Sequence, residues 1–269
     1  MASKRAGFTL VELLIVIAII ALLAGITLVA LQSARLFVGA STARQRLDDL
    51  SQALEIYKQK YGEYPPDSCA TDAEIQRHIL KRWPNALKGG KVGDMVEIAR
   101  EQMNQGPGWA LLFWLAGMDA EGFLADSKEP IARGPFADDE PREEPVLELS
   151  YDSDGTGGGN YNDRGLMFKG NPIIYFRADA KTGYDGRDFH VDGTEAAPYM
   201  KNGAWYNPDS FQLIYSGDDG DFGDCPFDGG HDEGDYVAKD LGNPTTITPA
   251  DKDNVTNFTD GATIESAID

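Results

Sequence analysis

"GFTLVELLIVIAIIALLAG", residues 7–25, decides how the rest of this chain is read. From Leu13 to Leu31 there is no charged residue, and only Gly25 and Thr27 interrupt the apolar run mildly. A helix over that stretch covers the roughly 30 Å of hydrocarbon in a bilayer. Lys4 and Arg5 precede it, so the positive-inside rule keeps the N-terminus in the cytoplasm and sends everything after Leu31 across. A cleaved secretory signal is the alternative, but its apolar part is usually about 7–15 residues and ends at a small-residue cleavage site. Glu12 is the anomaly, because a carboxylate in hydrocarbon costs several kcal/mol unless a partner neutralises it.

Beyond Leu31 the pattern turns periodic. Leu36, Ala40, Ala43, Leu47, Leu50, Leu54, Tyr57 and Tyr61 advance by alternating steps of four and three, which places them on one helical face. Arg44, Arg46, Asp48, Asp49 and Lys58 fill the positions between them. With no proline before Pro65, one helix from Phe8 to about Tyr61 is expected, about 80 Å long at 1.5 Å per residue. Gly62 and the Pro65-Pro66 pair stop it. The stripe is short for a coiled coil, so packing on the chain's own head is its expected use.

Charge divides the chain in the same place. Residues 1–62 carry net +3, and the formal total of −20 therefore leaves −23 for the remainder of the 269 residues. Such a head repels nucleic acid and anionic lipid, so no nucleic-acid partner is expected, and the surface suits an exported domain or cation binding. Cys69 and Cys225, the two cysteines, are compatible with one disulfide in an oxidising compartment.

In the head, Thr71 to Arg82 and Val92 to Met103 have helical composition, and Trp109 to Leu115 is apolar enough for a buried helix. Residues 126–148, with four prolines among many acids, read as loop. Strands are expected at Gly170 to Arg177 and Ser210 to Ser216. The fold class is α+β: a long N-terminal helix, half transmembrane and half amphipathic, packed on a small antiparallel sheet, with a helical insert.

"KRAGFTLVELLIVIAIIALLAG" resembles the processing signal of the type IV pilin-like family: a short basic leader ending in glycine, then Phe, then Glu at the fifth mature position. The resemblance implies that a prepilin peptidase cuts after Gly7 and methylates Phe8, making residues 1–7 a leader, 8–31 a transmembrane and polymerisation helix, and 32–62 a stalk helix. It also implies a role for Glu12: it meets the positive amine at Phe8 of a neighbouring subunit as a filament assembles. Within that family, "YKQKYGEYP", "KGNPIIYFRAD" and "SFQLIYSGDDGDFGD" are similar to the major pseudopilins of type II secretion. Residues 63–269 then form a globular head, with 67–168 an insert that small members lack and 169–269 the sheet and calcium-loop region. The partners implied are copies of the chain itself, other pseudopilins, the peptidase and an inner-membrane assembly platform, with the head in the periplasm of a bacterium.

The stretch 216–235 crowds carboxylates among glycines, and a chain that turns often while offering hard oxygens suits calcium. The resemblance transfers Ser216 and Asp219 as ligands, with a backbone carbonyl near Tyr215 and a later acid, Asp232 or Asp235, completing the site. An ordinary acidic surface loop is the alternative. A secondary calcium candidate, "DSDGTGGGNYND", places Asp152, Asp154, Thr156, Asn160 and Asp163 at positions one, three, five, nine and twelve of an EF-hand-like loop, but lacks the final Glu and the flanking helices. His78, His190 and His231 show no metal-type pairing, and no nucleophile elbow, P-loop or dinucleotide fingerprint is present, so no enzyme activity is expected. Zinc on Cys69, Cys225 and His231 is a more complicated alternative to a disulfide. Trp83, Trp109, Trp114 and Trp205 are expected in the core, though aromatic rings also line ligand grooves.

Overall fold

The computed structural model describes residues 10–84, 92–117, 143–149, 161–162, 165–185, 187–191, 193–224, 238–259 and 263–268, with side chains left undescribed at 26–37 and Pro244. Helix α1 runs Leu10–Tyr61 without a break. It ends as the sequence requires: Gly62 adopts φ +84°, and its N–H donates to the Lys58 carbonyl at 2.7 Å. By compactness the chain divides into two units, Met1–Thr42 and Ala43–Asp269.

In the first unit the described side chains from Leu10 to Leu23 show no covered face. The large apolar residues there are between 45 % and 79 % exposed. Among the described residues, no helix is long and apolar enough to cross a membrane. The expected span Leu13 to Leu31 runs past Gly25, where the described side chains of this stretch end.

In the second unit the heptad-like stripe is buried, with Ala43, Leu47, Leu50, Leu54 and Tyr57 almost wholly removed from solvent. Three helices follow: α2 Asp72–Arg82, α3 Val92–Met103 and α4 Trp109–Ala116. A capping box starts α2: Thr71 Oγ1 accepts from the Glu74 N–H, and the Glu74 carboxylate accepts from the Thr71 N–H at 2.7 Å. Almost every residue of α4 is buried, as a helix apolar on all sides must be.

The main sheet has five strands in the order β1-β2-β3-β8-β10, all antiparallel: β1 Tyr161–Asn162, β2 Gly165–Phe168, β3 Asn171–Arg177, β8 Phe211–Tyr215 and β10 Val255–Thr256. Two small sheets flank it. One is the hairpin β4 Phe189–Val191 with β5 Thr194–Ala196; the other joins β6 Tyr199–Lys201, β7 Ala204–Trp205 and β9 Lys239–Asp240. The β6–β9 pair is parallel, a departure from the purely antiparallel expectation.

The two longest strands lie in register from Ile173↔Tyr215 to Arg177↔Phe211 and are buried on both faces, which explains their continuous apolar sequence. Ile174, Phe176 and Ile214 join Tyr184, Phe189, Tyr199, Phe222 and Leu241 in one core cluster. Tyr175 and Phe211 lie on the other face: Phe211 meets Tyr64 edge-on at 5.0 Å, and Tyr175 donates to the Pro65 carbonyl at 2.8 Å. Tyr57 of α1 lies close enough to bear on the Tyr175 phenol, so this face packs toward the end of the helix.

Buried charges lock the segment after α1 onto the sheet. Arg187 bonds Asp67 at 2.7 Å and Glu74 at 2.5 Å, while Arg177 bonds Glu74 at 2.9 Å and its N–H donates to Asp67. Burial pushes the Asp67 carboxyl up despite the two arginines. It works against Glu74 too, but the Thr71 N–H and Arg187 outweigh it and hold that carboxyl at about 2.

The α4 start meets the sheet backbone to backbone. Gly108 and Gly165 form an isolated bridge, and a Cβ on Gly108 would lie 2.3 Å from the Leu166 nitrogen. Only glycine permits that approach.

Candidate functional site

Of the processing and assembly residues, Gly7 and Phe8 lie outside the described residues. Glu12 sits in the first turn of α1, exposed beside Leu10, Val11 and Leu13. A carboxylate near a helix N-terminus is favoured by the helix dipole. In sequence, Glu12 is the one charged residue of the apolar stretch from Leu10 to Leu31.

The second candidate is the turn after β8. Ser216 is fully buried, and its hydroxyl donates to the Pro172 carbonyl at 3.1 Å, fixing the turn to β3. Asn171 Nδ2 donates to the Gly217 carbonyl at 2.8 Å, and the Gly220 N–H donates to the Ser216 carbonyl at 3.1 Å. Gly217 takes φ +66°, and a Cβ there would fall 2.3 Å from the Asp253 carboxyl carbon. Glycine is therefore what lets Asp253 come in against the turn.

Asp253 is the residue that sequence reading misses. It ends the 3-10 turn Ala250–Asp253, and its Oδ2 accepts from the N–H groups of Asp218 at 2.8 Å and Asp219 at 3.4 Å. Its Oδ1 is buried without a hydrogen-bond partner. Burial, with the Asp219 charge adding to it, raises the Asp253 carboxyl above its ordinary range. The Asp219 carboxylate accepts from the Asp221 N–H at 2.9 Å, and Asp221 repeats the motif with Gly223. Nothing in local spacing links Asp253 to a turn more than thirty residues away; only the fold does.

Asp253 is aimed by a buried latch on the same 3-10 turn. Lys239, fully buried, donates to the Phe222 and Gly223 carbonyls and to Asp251 Oδ1 at 2.6 Å. Asp251 also accepts from the Tyr199 hydroxyl at 2.6 Å and from Thr248. Its four accepted bonds make it a satisfied structural anion, not a metal ligand.

Of the remaining expected ligands, Asp232 and Asp235 lie outside the described residues, as do Asp152, Asp154, Thr156, Asn160 and Asp163. Tyr161 and Asn162, within that second loop, form β1. Among the described residues, no group of three or more His, Cys, Asp and Glu side chains forms a ready metal cage. Cys69 donates its thiol to the Asp188 carbonyl at 3.2 Å; Cys225 lies outside the described residues. Trp83 and Trp114 are core residues, each about 1 % exposed, and Trp205 is half-buried.

His78 is buried between Tyr57 and Glu63, each 2.8 Å from a ring nitrogen. Desolvation lowers its pKa to about 4, against the pull of Glu63. At neutral pH a neutral imidazole thus donates Nδ1–H to the Glu63 carboxylate and accepts at Nε2 from the Tyr57 hydroxyl. Arg82 in turn donates to the Tyr57 and Tyr61 hydroxyls at 3.0 Å each.

These features define a long N-terminal helix with an uncovered apolar end, joined to an α+β head. Residues 2–28 match the family model described as the prokaryotic N-terminal methylation motif, the type IV pilin-like prepilin signal. No curated protein and no solved structure matches the chain.

Proposed function

We propose that this chain is a structural subunit of a type II secretion pseudopilus, cut after Gly7, methylated at Phe8 and polymerised through its N-terminal helix. The observation that carries the reading is the uncovered apolar surface from Leu10 to Leu23 directly under a prepilin signal. Such a surface has to be covered by lipid or by other helices. Before assembly the bacterial inner membrane covers it, with the N-terminus cytoplasmic and the head periplasmic. After extraction by the assembly platform, helices of neighbouring copies and of other pseudopilins replace the lipid. Glu12 then meets the Phe8 amine of the neighbour, and losing that partner leaves an uncompensated charge among apolar side chains. Growth of the filament pushes exported proteins outward, so the role is mechanical rather than catalytic.

A type IV pilin building a surface fibre shares this assembly chemistry. Two features favour the secretion reading: the GNP strand forms the centre of the sheet as β3, and the SGDDG turn follows its partner β8.

Calcium at that turn is the second part of the proposal. Asp219 and the orphaned Oδ1 of Asp253 supply hard anionic oxygens, and the cation would offset the burial that raises Asp253 together with the lesser repulsion from Asp219. Bound there, calcium ties the β8 turn to the 3-10 turn.

The test is the intact mass, with N-terminal fragmentation, of protein from the native membrane. A chain starting at N-methylated Phe8 is expected. A chain that retains Lys4 and Arg5, or is cut beyond Leu31, overturns the assembly reading.

A further inference from the structure

Between Tyr184, Asp185, Arg187 and Asp188 on one side and the β6–β7 hairpin on the other lies a cleft of about 290 Å³ that the proposed assembly does not use. Tyr184, Trp205, Pro198 and Met200 give it apolar lining, and Asp185 and Asp188 line it too. The Tyr184 hydroxyl is committed to the Asn207 carbonyl at 2.8 Å, so this residue offers only its ring, which meets Trp205 edge-on at 5.5 Å. Arg187 also lines the cleft, but its guanidinium is committed to Asp67 and Glu74.

The indole is set deliberately close to the backbone. Gly183 takes φ +65°, and a Cβ there would come within 2.9 Å of Trp205 Cδ1. Only glycine lets the turn lie along the indole edge.

Two polar groups are left for a ligand. The indole N–H of half-buried Trp205 makes no hydrogen bond among the described residues, and the exposed Asp185 carboxylate makes no ion pair or hydrogen bond among them. A fitting ligand therefore donates to a carboxylate, accepts from an N–H and presents an apolar face to aromatic rings. An ammonium group would satisfy Asp185 and leave the indole donor unmet; an apolar side chain would leave both unmet. Sugar hydroxyls donate and accept at once, and the C–H face of a sugar ring stacks on an indole. The volume lies at the bottom of the roughly 300–1,000 Å³ range of ligand sites, which suits one ring rather than a long chain.

We propose that this cleft binds a single pyranose ring stacked on Trp205, its hydroxyls donating to Asp185 and accepting from the indole N–H. The site gives the head a glycan-recognition function separate from polymerisation through α1.

Saturation-transfer NMR on the full-length protein in lipid nanodiscs tests this with methyl β-glucoside, methyl β-galactoside and N-acetylglucosamine, and with N-acetyl-lysine methylamide as the cationic control. At least one sugar is expected to show transfer to its ring C–H protons, lowered about fivefold or more by Trp205→Ala and by Asp185→Asn. Because Trp205→Ala removes a ring that Tyr184 leans on, Asp185→Asn is the variant at an exposed position expected to keep the wild-type thermal midpoint. Absence of transfer to every sugar, transfer that survives both variants, or variant-sensitive transfer to the lysine probe alone overturns the proposal. Cleavage after Gly7 is read separately by mass, so failure of this site and failure of the assembly reading are distinguishable.

Discussion

The two ends of α1 belong to one helix and obey opposite rules. From Leu10 to Leu23 the helix is apolar all round and uncovered; from Ala43 to Tyr57 it is apolar along one stripe, and that stripe is buried by the head. The contrast shows where each end finds its stability. The stripe is satisfied inside its own chain, whereas the apolar cylinder shows no covered face among the described residues.

The sharpest way to break this comparison is at Glu12. Glu12→Ala is expected to insert and be cut normally but to lower filament yield by about tenfold or more, since a lost buried charge pair costs several kcal/mol. Normal yield by electron microscopy and sedimentation would remove the charge-pairing argument.

The next largest effect separates the two ends directly. Leu50→Ala opens a cavity in the buried stripe and is expected to destabilise the head by about 2–5 kcal/mol. Ile17→Ala, on the uncovered end, is expected to leave head unfolding within about 0.5 kcal/mol of wild type. Equal effects in chemical denaturation would break the comparison.

His78 gives a third, smaller and pH-dependent test. Its pKa of about 4 in the fold lies below the ordinary 6.5, so its contribution is full above 6.5 and is lost as pH falls toward 4. The slope over that window is expected to approach about 1.4 kcal/mol per pH unit. Glu63, held at about 2 chiefly by the His78 hydrogen bond, adds a second loss below its ordinary 4.5. His78→Gln should flatten the upper window in acid titrations of stability; an unchanged slope would mean that other groups carry it.

The smallest effect concerns the β8 turn. Calcium is expected to raise the thermal midpoint by a few degrees, as binding to the native state by a few kcal/mol does. Asp253→Asn and Asp219→Asn should each abolish most of that rise. A calcium response that survives both moves the site off this turn.

Much of the helical frame was legible because long periodic segments declare themselves. The α1 stripe, the helical composition of α2 and the apolar α4 each follow from neighbours within a few residues. The strands β3 and β8 were legible from aromatic and β-branched runs, whereas β4 to β7, β9 and β10 span only two or three residues and carry no period to read. Long-range polar contacts were illegible for a different reason. Asp67 and Arg187 are 120 positions apart, and Asp253 accepts from the N–H of Asp218, 35 positions before it. The candidate turn could thus be located from its composition, but not the carboxylate that completes it.

The contact of Gly108 with Gly165 bears on whether the helical region and the sheet can change independently. Here two main chains touch where neither position has room for a methyl group, so the helical region and the sheet have become mutual constraints. Cutting that region out would not leave a smaller intact head; it would strip Gly165 of its backbone neighbour, cost the Leu166 N–H its Gly108 acceptor and open the buried Leu166 side chain.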